Sequence, residues 1–572
     1  MSSRFVPRLP RTAFFAVFAF LPVVVLSGPK VPAAPRTGLN LLLVTVDTLR
    51  ADRVSCYDPS HVATPAMDAL AATGTVFTRA FAHAPLTLPA HASLLLGKTP
   101  PVHGVHDNGR FTVRQEFLTL AEHLRGLGYS TGAFVSGYPL NSRFGLGQGF
   151  EVYDDRFAAA PGLDREFAER RAGDTADKAL SWLKGRRSPW FLWVHFYDPH
   201  DPYEPPEPFR TKYKDMPYDG EVAYVDEAVG RLVAFLRDQG LADGTMVVLT
   251  GDHGESLGEH GELTHGFLAY NTTLWVPLVI RVPGMRPSRV VQAISHIDIF
   301  PTVCDALSVG RPGGLEGRSL VPAMDGRKLP PSLIYFECLS PFYGRGWAPI
   351  RGTMDGRMKF IESPIPELYD LEKDFGEAAN LAGTRDLAGF RRSLDKMVEA
   401  EASGRGSGAE TKLDVAAVEK LRSLGYVAGP AAPNKKTFGP EDDVKALLPY
   451  HEKSMEALVL SRAGRESAAI EQLKEVITAR PDMDVAHVNL ALLYEAAGRA
   501  EDARRVLLDG LEALPESYDL FTHAIGFFIG SGDYRAAIDL AESRSLPQME
   551  TDPRIWVGLG TCYRNLKDYS KA

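Results

Sequence analysis

The segment HAPLTLPAHASLLLGKTPPVHGVHDNG, residues 83 to 109, places a hydroxyl residue, Thr87, two positions before Pro89 and at the head of an apolar helical run from Ala90. Proline is favoured in the first helical turn, so Thr87 is expected at the N-cap, where unpaired N–H groups and the positive end of the helix dipole favour an alkoxide. Such a threonine is a candidate nucleophile. Two further segments, LNLLLVTVDTLRADR and TMVVLTGDHGES, run apolar and end on Asp47 and on Asp252 with His253. Asp47, Thr87, Asp252 and His253 together offer oxygens and one imidazole, a set suited to one divalent cation such as Mn²⁺, Ca²⁺, Zn²⁺ or Mg²⁺. His91, His200 and His265 are the candidates for holding the non-bridging oxygens of an ester or protonating its leaving oxygen. Taken singly, each residue is as well explained as a turn former, a cap or a loop residue. Their joint placement argues for chemistry.

The elements that must position them are strands. LNLLLVTV, the run from Trp190 in PWFLWVHFYDPHDPYEPP and the run from Met246 are continuous apolar stretches of the kind buried on both faces of a sheet. The second passes His195 and Asp198 and reaches His200. Helical patterns at Leu118 to Leu127 and Glu221 to Gln239 lie between them, so the expectation is an α/β fold with a mostly parallel sheet and its site at the strand C-terminal ends. The chain of 572 residues exceeds what one core usually serves, and 45% hydrophobic with 24% charged residues is an ordinary globular composition. A net charge of −9 gives no footprint for nucleic acid. Four widely spaced cysteines form neither a metal knuckle nor a disulfide scaffold.

The quoted motifs, in this order from about Asn40 to about Ala382, make the chain similar to the sulfatase family of the alkaline phosphatase superfamily. VTVDTLRAD resembles the first metal-binding strand, TPAMDALAATGTVFTRAF the segment leading to the nucleophile, and TLPAHASLLLGKTPPVHGV the nucleophile motif. HFYDPHDPY resembles the substrate-side histidine loop, GDHGESLGEHGELTHG the second metal motif, and HIDIFPTVCDAL the helix closing the main domain. RMKFIESPIPELYDLEKDFGEAANL resembles the family's small C-terminal subdomain, a short antiparallel sheet. The resemblance implies an alkaline phosphatase/sulfatase-like fold and a sulfate or phosphate ester as substrate. Typical members oxidise the Cys or Ser of a C/S-x-P-S-R motif to formylglycine. Thr-Leu-Pro-Ala-His stands here instead, a secondary alcohol cannot give that aldehyde, and His91 replaces the helper arginine. Asp47-Thr48 replaces a pair of aspartates, and VSGYPLNS lacks the usual sulfate-gripping lysine. Threonine nucleophiles occur elsewhere in the superfamily, in nucleotide pyrophosphatase/phosphodiesterases and in the lipoteichoic acid synthase and phosphoethanolamine transferase groups. The last two hold one metal with an acid, Thr, Asp and His, which matches Asp47, Thr87, Asp252 and His253.

From about Asp443 the pattern changes. Gly464, Gly498 and Gly532 recur every 34 residues, as do Ala469, Ala503 and Ala537, which is the period of tetratricopeptide helix pairs. Residues 443–572 are therefore expected to be all-α repeats that bind a protein or peptide partner and fold independently of the catalytic part. Residues 38–385 are read as the sulfatase-like domain with its small C-terminal subdomain. Residues 386–442 are read as a linker with short helices, among them Val415 to Leu424. In residues 1–37, Arg4, Arg8 and Arg11 precede the apolar run Ala13 to Leu26. That is the pattern of a signal peptide or membrane anchor, implying an exported protein that is periplasmic, extracellular or membrane-attached. Three functions fit: a metal-dependent hydrolase of sulfate or phosphate/phosphonate esters through Thr87, a phospho-substituent transferase acting on a glycan or lipid, or a partner-binding scaffold with a silent catalytic domain.

Overall fold

The computed structural model describes Met1 and residues 38–157, 169–402, 409–410, 420–421, 437–544, 546, 549 and 552–571. The N-terminal basic and apolar segment lies outside the described residues, as does the expected Val415–Leu424 helix except for Lys420 and Leu421, which are helical. Among the described residues no helix is long and apolar enough to cross a membrane.

The strands are β1 (Asn40–Val46), β2 (Thr75–Phe81), β3 (Phe111–Thr112), β4 (Ser130–Phe134), β5 (Val152–Asp154), β6 (Trp190–Phe196), β7 (Thr245–Gly251), β8 (Trp275–Arg281), β9 (Ser288–Val290) and β10 (Ile294–Ser295). All but β3 join one sheet in the order β10-β2-β8-β7-β1-β6-β4-β5, with β9 beside β2. The sheet is mostly parallel. β1 sits at its centre, parallel to both β6 and β7, and β8 runs antiparallel to β7 and β2. Every residue of β1, β6 and β7 is buried. The reason is that helices cover both faces, so the period-2 alternation delivers side chains to two different cores rather than to core and solvent. Leu41 and Leu43 face one core with the Thr87–Leu96 and Ile299–Ala306 helices. Leu42, Val44 and Val46 face the other with the Pro65–Thr73, Ala172–Leu183 and Pro217–Asp238 helices.

A second sheet, β11 (Ile334–Cys338), β12 (Ile350–Met354), β13 (Met358–Glu362) and β14 (Glu367–Asp370), is antiparallel throughout. This is the small subdomain. The Ala388–Ala402 helix packs on it through Leu394, against Tyr335, Phe360 and Leu368, so the subdomain's packing continues past residue 385.

The repeats form the helix pairs Val444–Arg462 with Glu466–Ala479, Asp484–Ala496 with Ala500–Ala513, and Tyr518–Gly530 with Tyr534–Glu542, followed by Pro553–Asn565. Gly464, Gly498 and Gly532 have φ of 76°, 71° and 79°, left-handed values that glycine adopts without steric cost where one helix ends and the chain turns into the next. The expectation that the repeats stand apart is corrected: residues 37–572 form one compact unit. Composition marked linkers, but linkers do not decide whether the helix after them finds an apolar face to cover. Here it does, with the His451 ring 4.8 Å from that of Phe267.

Candidate active site

The three central strands end together, and so do the chemical groups. Asp47 follows β1, Asp252 and His253 follow β7, and His195 is the penultimate residue of β6, paired in register with Thr45. The Asp47 N–H donates to the Phe196 carbonyl at 2.8 Å and the Asp252 N–H to that of Val46 at 3.2 Å, so the ladder continues into the site and fixes both backbones.

Thr87 is the first residue of its helix, and the N-cap is Leu86, in extended conformation; the expected N-cap threonine is thus one position further in. The helix also begins three residues before Ala90, because Pro89 is tolerated in a first turn whose N–H groups have no partner one turn back. The Leu88 N–H donates to Asn108 Oδ1 at 2.8 Å, which satisfies one of these groups and pins the turn. Thr87 is fully buried, and its Oγ1 makes no hydrogen bond of good geometry, although it lies close enough to Asp47 to lower that group's pKa.

Asp47, Asp252 and His253 offer ligand atoms that all lie within 4.8 Å of one another. His253 Nε2 is 3.8 Å from Asp47 Oδ1 and 3.7 Å from Asp252 Oδ2. His253 Nδ1 lies 2.9 Å from the Gly254 carbonyl oxygen, and donating its proton there leaves Nε2 with a bare lone pair aimed at the carboxylates. Both Asp47 oxygens, Asp252 Oδ2, His253 Nε2 and Thr87 Oγ1 are buried without a hydrogen-bond partner. Orphaned buried oxygens are expensive, and a cation among them removes the cost. The donor set therefore fits a divalent metal.

The electrostatics agree. Burial pushes Asp47 up to about 6, opposed by His200, His265, Thr87 and Asp252. Burial, joined by the charge of Asp47, pushes Asp252 well above the usual carboxylate range. Burial holds His253 well below its ordinary value, with His265 adding to the effect. Two carboxylates that resist ionisation beside a neutral imidazole are what a dry pocket awaiting positive charge looks like.

The three candidate histidines are not equivalent. His200 and His265 lie beside the candidate metal ligands: their rings are 4.9 Å apart, and His265 lies 4.6 Å from the His253 ring. His200 stacks on Tyr197 at 4.4 Å, with Nδ1 2.6 Å from the Asp201 carbonyl oxygen, and His265 Nδ1 is 2.9 Å from Glu255 Oε1. His91 is fully buried, and both its ring nitrogens have protein partners, the Thr87 carbonyl at 2.8 Å and Thr45 Oγ1 at 2.9 Å. It supports the first turn of the Thr87 helix.

Thr48 stands where a second aspartate was expected from the resemblance, and its structural part is different. Its φ is 52°, its N–H donates to Asp252 Oδ1 at 3.2 Å, and its hydroxyl donates to the Pro199 carbonyl at 2.7 Å. A β-branched residue held in the left-handed region is strained, and its two hydrogen bonds tie Asp252 to the loop carrying His200. Sequence reading missed Asn108 and Glu255 as supports, and it noted His195 without giving it a role. His195 Nε2 lies 3.3 Å from Asp47 Oδ2. Its signal was its register opposite Thr45, invisible until β1 and β6 are known to pair.

Gly254 is required by space. A Cβ there would lie 2.1 Å from the Thr272 carbonyl oxygen. Gly254→Ala is expected to cost about 1–3 kcal/mol by overpacking and to lower bound metal by moving His253, as read by thermal unfolding and elemental analysis.

The fold and the site together define an α/β ester hydrolase with a candidate metal centre at its strand ends. Residues 39–309 match the sulfatase family, residues 258–403 the C-terminal domain of N-sulphoglucosamine sulphohydrolase, and residues 460–520 a tetratricopeptide repeat. It is 25% identical over 427 residues to the uncharacterized sulfatase YidJ of Escherichia coli, covering 62% of this chain and 85% of that protein. It is 26% identical over 493 residues to the multifunctional alkaline phosphatase superfamily protein PehA of Trinickia caryophylli, covering 62% of this chain and 93% of that protein. The crystal structure of a phosphonate monoester hydrolase of Agrobacterium radiobacter superposes with a TM-score of 0.53 at 23% identity, covering 64% of this chain and 96% of that one.

Proposed function

We propose that the protein hydrolyses sulfate or phosphate/phosphonate esters with Thr87 as nucleophile and one divalent cation held by Asp47, Thr87, Asp252 and His253. The observation that carries the reading is the convergence of buried, unpartnered atoms: the Thr87 hydroxyl, the two carboxylates and the bare His253 nitrogen. A cation at this centre would lower the hydroxyl pKa and neutralise charge on the transferring group. Thr87 Oγ1 forms the new bond to sulfur or phosphorus as the bond to the leaving oxygen breaks. The proton Thr87 gives up is taken by a neutral His200 or His265 and passed to the leaving oxygen, and water then cleaves the threonyl ester. Elemental analysis of Asp252→Ala tests the ligand set. Metal content is expected to fall to background, and wild-type content in that variant would show the set to be wrong.

The site suits esters with one negative charge. Thr87 cannot become formylglycine, and the buried histidines beside it are held towards the neutral form by desolvation, so a doubly charged phosphate monoester finds too little positive charge here. Phosphate diesters and phosphonate monoesters are expected to turn over fastest, sulfate esters next and phosphate monoesters slowest, as read on a panel of chromogenic substrates. The similarity to a relative named as multifunctional supports a site open to several of these. A phosphate monoester turned over fastest would overturn the charge argument. The repeats are proposed to bind a protein or peptide partner, and the N-terminal segment to direct export.

A further inference from the structure

Below the nucleophile, three buried side chains form a hydrogen-bonded chain whose direction can be worked out. Trp193 Nε1 lies 2.9 Å from Thr45 Oγ1, which lies 2.9 Å from His91 Nε2, and His91 Nδ1 lies 2.8 Å from the Thr87 carbonyl oxygen. Trp193, Thr45, His91 and Thr87 are all fully buried, so the network has no water to complete it at its edges. An indole N–H only donates, so Thr45 accepts from Trp193. A carbonyl only accepts, so His91 Nδ1 must carry a hydrogen; a bare nitrogen facing that oxygen at 2.8 Å would be repelled.

One hydrogen remains to be placed, between Thr45 and His91 Nε2. If Nε2 also carried a proton, Thr45 would accept from two donors and its own hydrogen would need a third acceptor. Among the described residues the Thr45 hydroxyl has only Trp193 and His91 as partners. The consistent arrangement is therefore Trp193 N–H to Thr45 oxygen, Thr45 O–H to a bare His91 Nε2, and His91 Nδ1–H to the Thr87 carbonyl.

We infer that the Thr87 carbonyl on one side and Trp193 and Thr45 on the other hold His91 as its Nδ1–H tautomer with Nε2 anchored to β1, and that His91 so held is a positioning residue for Thr87 rather than a group that touches substrate. The inference rests on Thr87 being the nucleophile, and it deepens that reading. The Nδ1–H fixes the Thr87 carbonyl while Asn108 fixes the Leu88 N–H, so the one peptide group that follows the nucleophile's side chain is held at both its oxygen and its N–H. The same nitrogen lies 3.5 Å from Asp252 Oδ2, placing its hydrogen between the nucleophile's turn and the metal-side carboxylate. His91 is kept well below its ordinary pKa, chiefly by burial, which accords with a neutral ring. The lock also accounts for histidine at this position: the i to i+4 reach along one helix face lets a ring on residue 91 bond the carbonyl of residue 87 while its far nitrogen meets β1.

The test uses the full chain, ¹⁵N-labelled at histidine, with His91 identified by its absence from the His91→Gln spectrum. Wild type and Thr45→Ser, which keeps the hydroxyl, are expected to show a protonated Nδ1 and a bare Nε2. Thr45→Val, which keeps the shape and removes the hydroxyl, is expected to leave Nε2 without its donor, shifting its resonance and freeing the ring from β1. Its kcat should fall about 10–100-fold with KM and metal content unchanged, the range for a reacting group displaced by a fraction of an ångström to one ångström. Trp193→Phe is the second arm, should Thr45→Val fail to fold: it removes the donor that sets the direction of the Thr45 hydroxyl, freeing that hydroxyl to turn from Nε2, and is expected to shift the Nε2 resonance and lower kcat as Thr45→Val does. A protonated Nε2 in wild type, an undiminished kcat in Thr45→Val, or equal damage from Thr45→Ser would each overturn the inference. Undiminished turnover in Thr87→Ala would instead remove the nucleophile reading and leave the tautomer measurement standing, so the two failures are distinguishable.

Discussion

Thr87→Ala is expected to lower kcat for diester, phosphonate and sulfate substrates alike by about a thousandfold or more, equivalent to about 4 kcal/mol of transition-state stabilisation. The loss is common to all substrates because it removes the atom that forms the first bond, not a contact that recognises one ester. Thr87→Ser separates this from packing. It keeps a hydroxyl on the same turn, held by the same His91 and Asn108 hydrogen bonds to the peptide group that follows it, and is expected to retain turnover within about tenfold of wild type. Metal content gives a third reading. Asp47, Asp252 and His253 still converge in Thr87→Ala, so that variant should bind metal more weakly while Asp252→Ala binds none. A Thr87→Ala protein that turns over any one of these esters at the wild-type rate would show that water or another group attacks it directly.

The parts of this site that could be read from the sequence are those fixed by local pattern. Asp47 and Asp252 each end an apolar run long enough to be a strand buried on both faces, and a parallel sheet gathers such ends on one edge. The start of the Thr87 helix was legible to within a few residues. Pro89 announces a first turn, yet whether it sits at the first or third position depends on Leu86 being extended, which tertiary packing decides. The part played by His91 was not legible. Its partner Thr45 is 46 residues away on another element, and a histidine beside a nucleophile looks the same in sequence whether it faces substrate or supports the turn. Thr48 illustrates the same limit: only the structure shows that its hydroxyl bonds Pro199, 151 residues away, and that its backbone is strained to do so. Long-range hydrogen bonds leave no period in a sequence.

Ending the chain near Gly429 is expected to destabilise the catalytic domain and slow it, because the first repeat helix completes the wall behind the active-site loop. Asp443 is fully buried, and its Oδ2 accepts from Ser363 Oγ and from the Ile365 N–H, both at 2.7 Å, so its removal takes two hydrogen bonds from the small subdomain. The His451 ring lies 4.8 Å from that of Phe267, two residues beyond His265, and 6.2 Å from that of Trp347. Arg345 sits 5.7 Å from both Phe267 and Trp347, and Glu452, Asp484 and Asp519 of the repeats lie within electrostatic reach of its guanidinium. Truncation thus uncovers Phe267 and Trp347 and strips a partly buried arginine of its counter-charges at one stroke. Each aromatic newly exposed costs about 1.5–3 kcal/mol and each hydrogen bond lost about 1 kcal/mol, so several kcal/mol are at stake. The expected result is a lower unfolding midpoint together with a lower kcat on a small chromogenic ester, since the Phe267 contact supports the loop that carries His265. Asp443→Ala in the full chain should shift the midpoint in the same direction by a smaller amount. A truncated protein with the midpoint and turnover of the full chain would show that the docked helix contributes nothing to the catalytic domain, and that the repeats serve only what they bind.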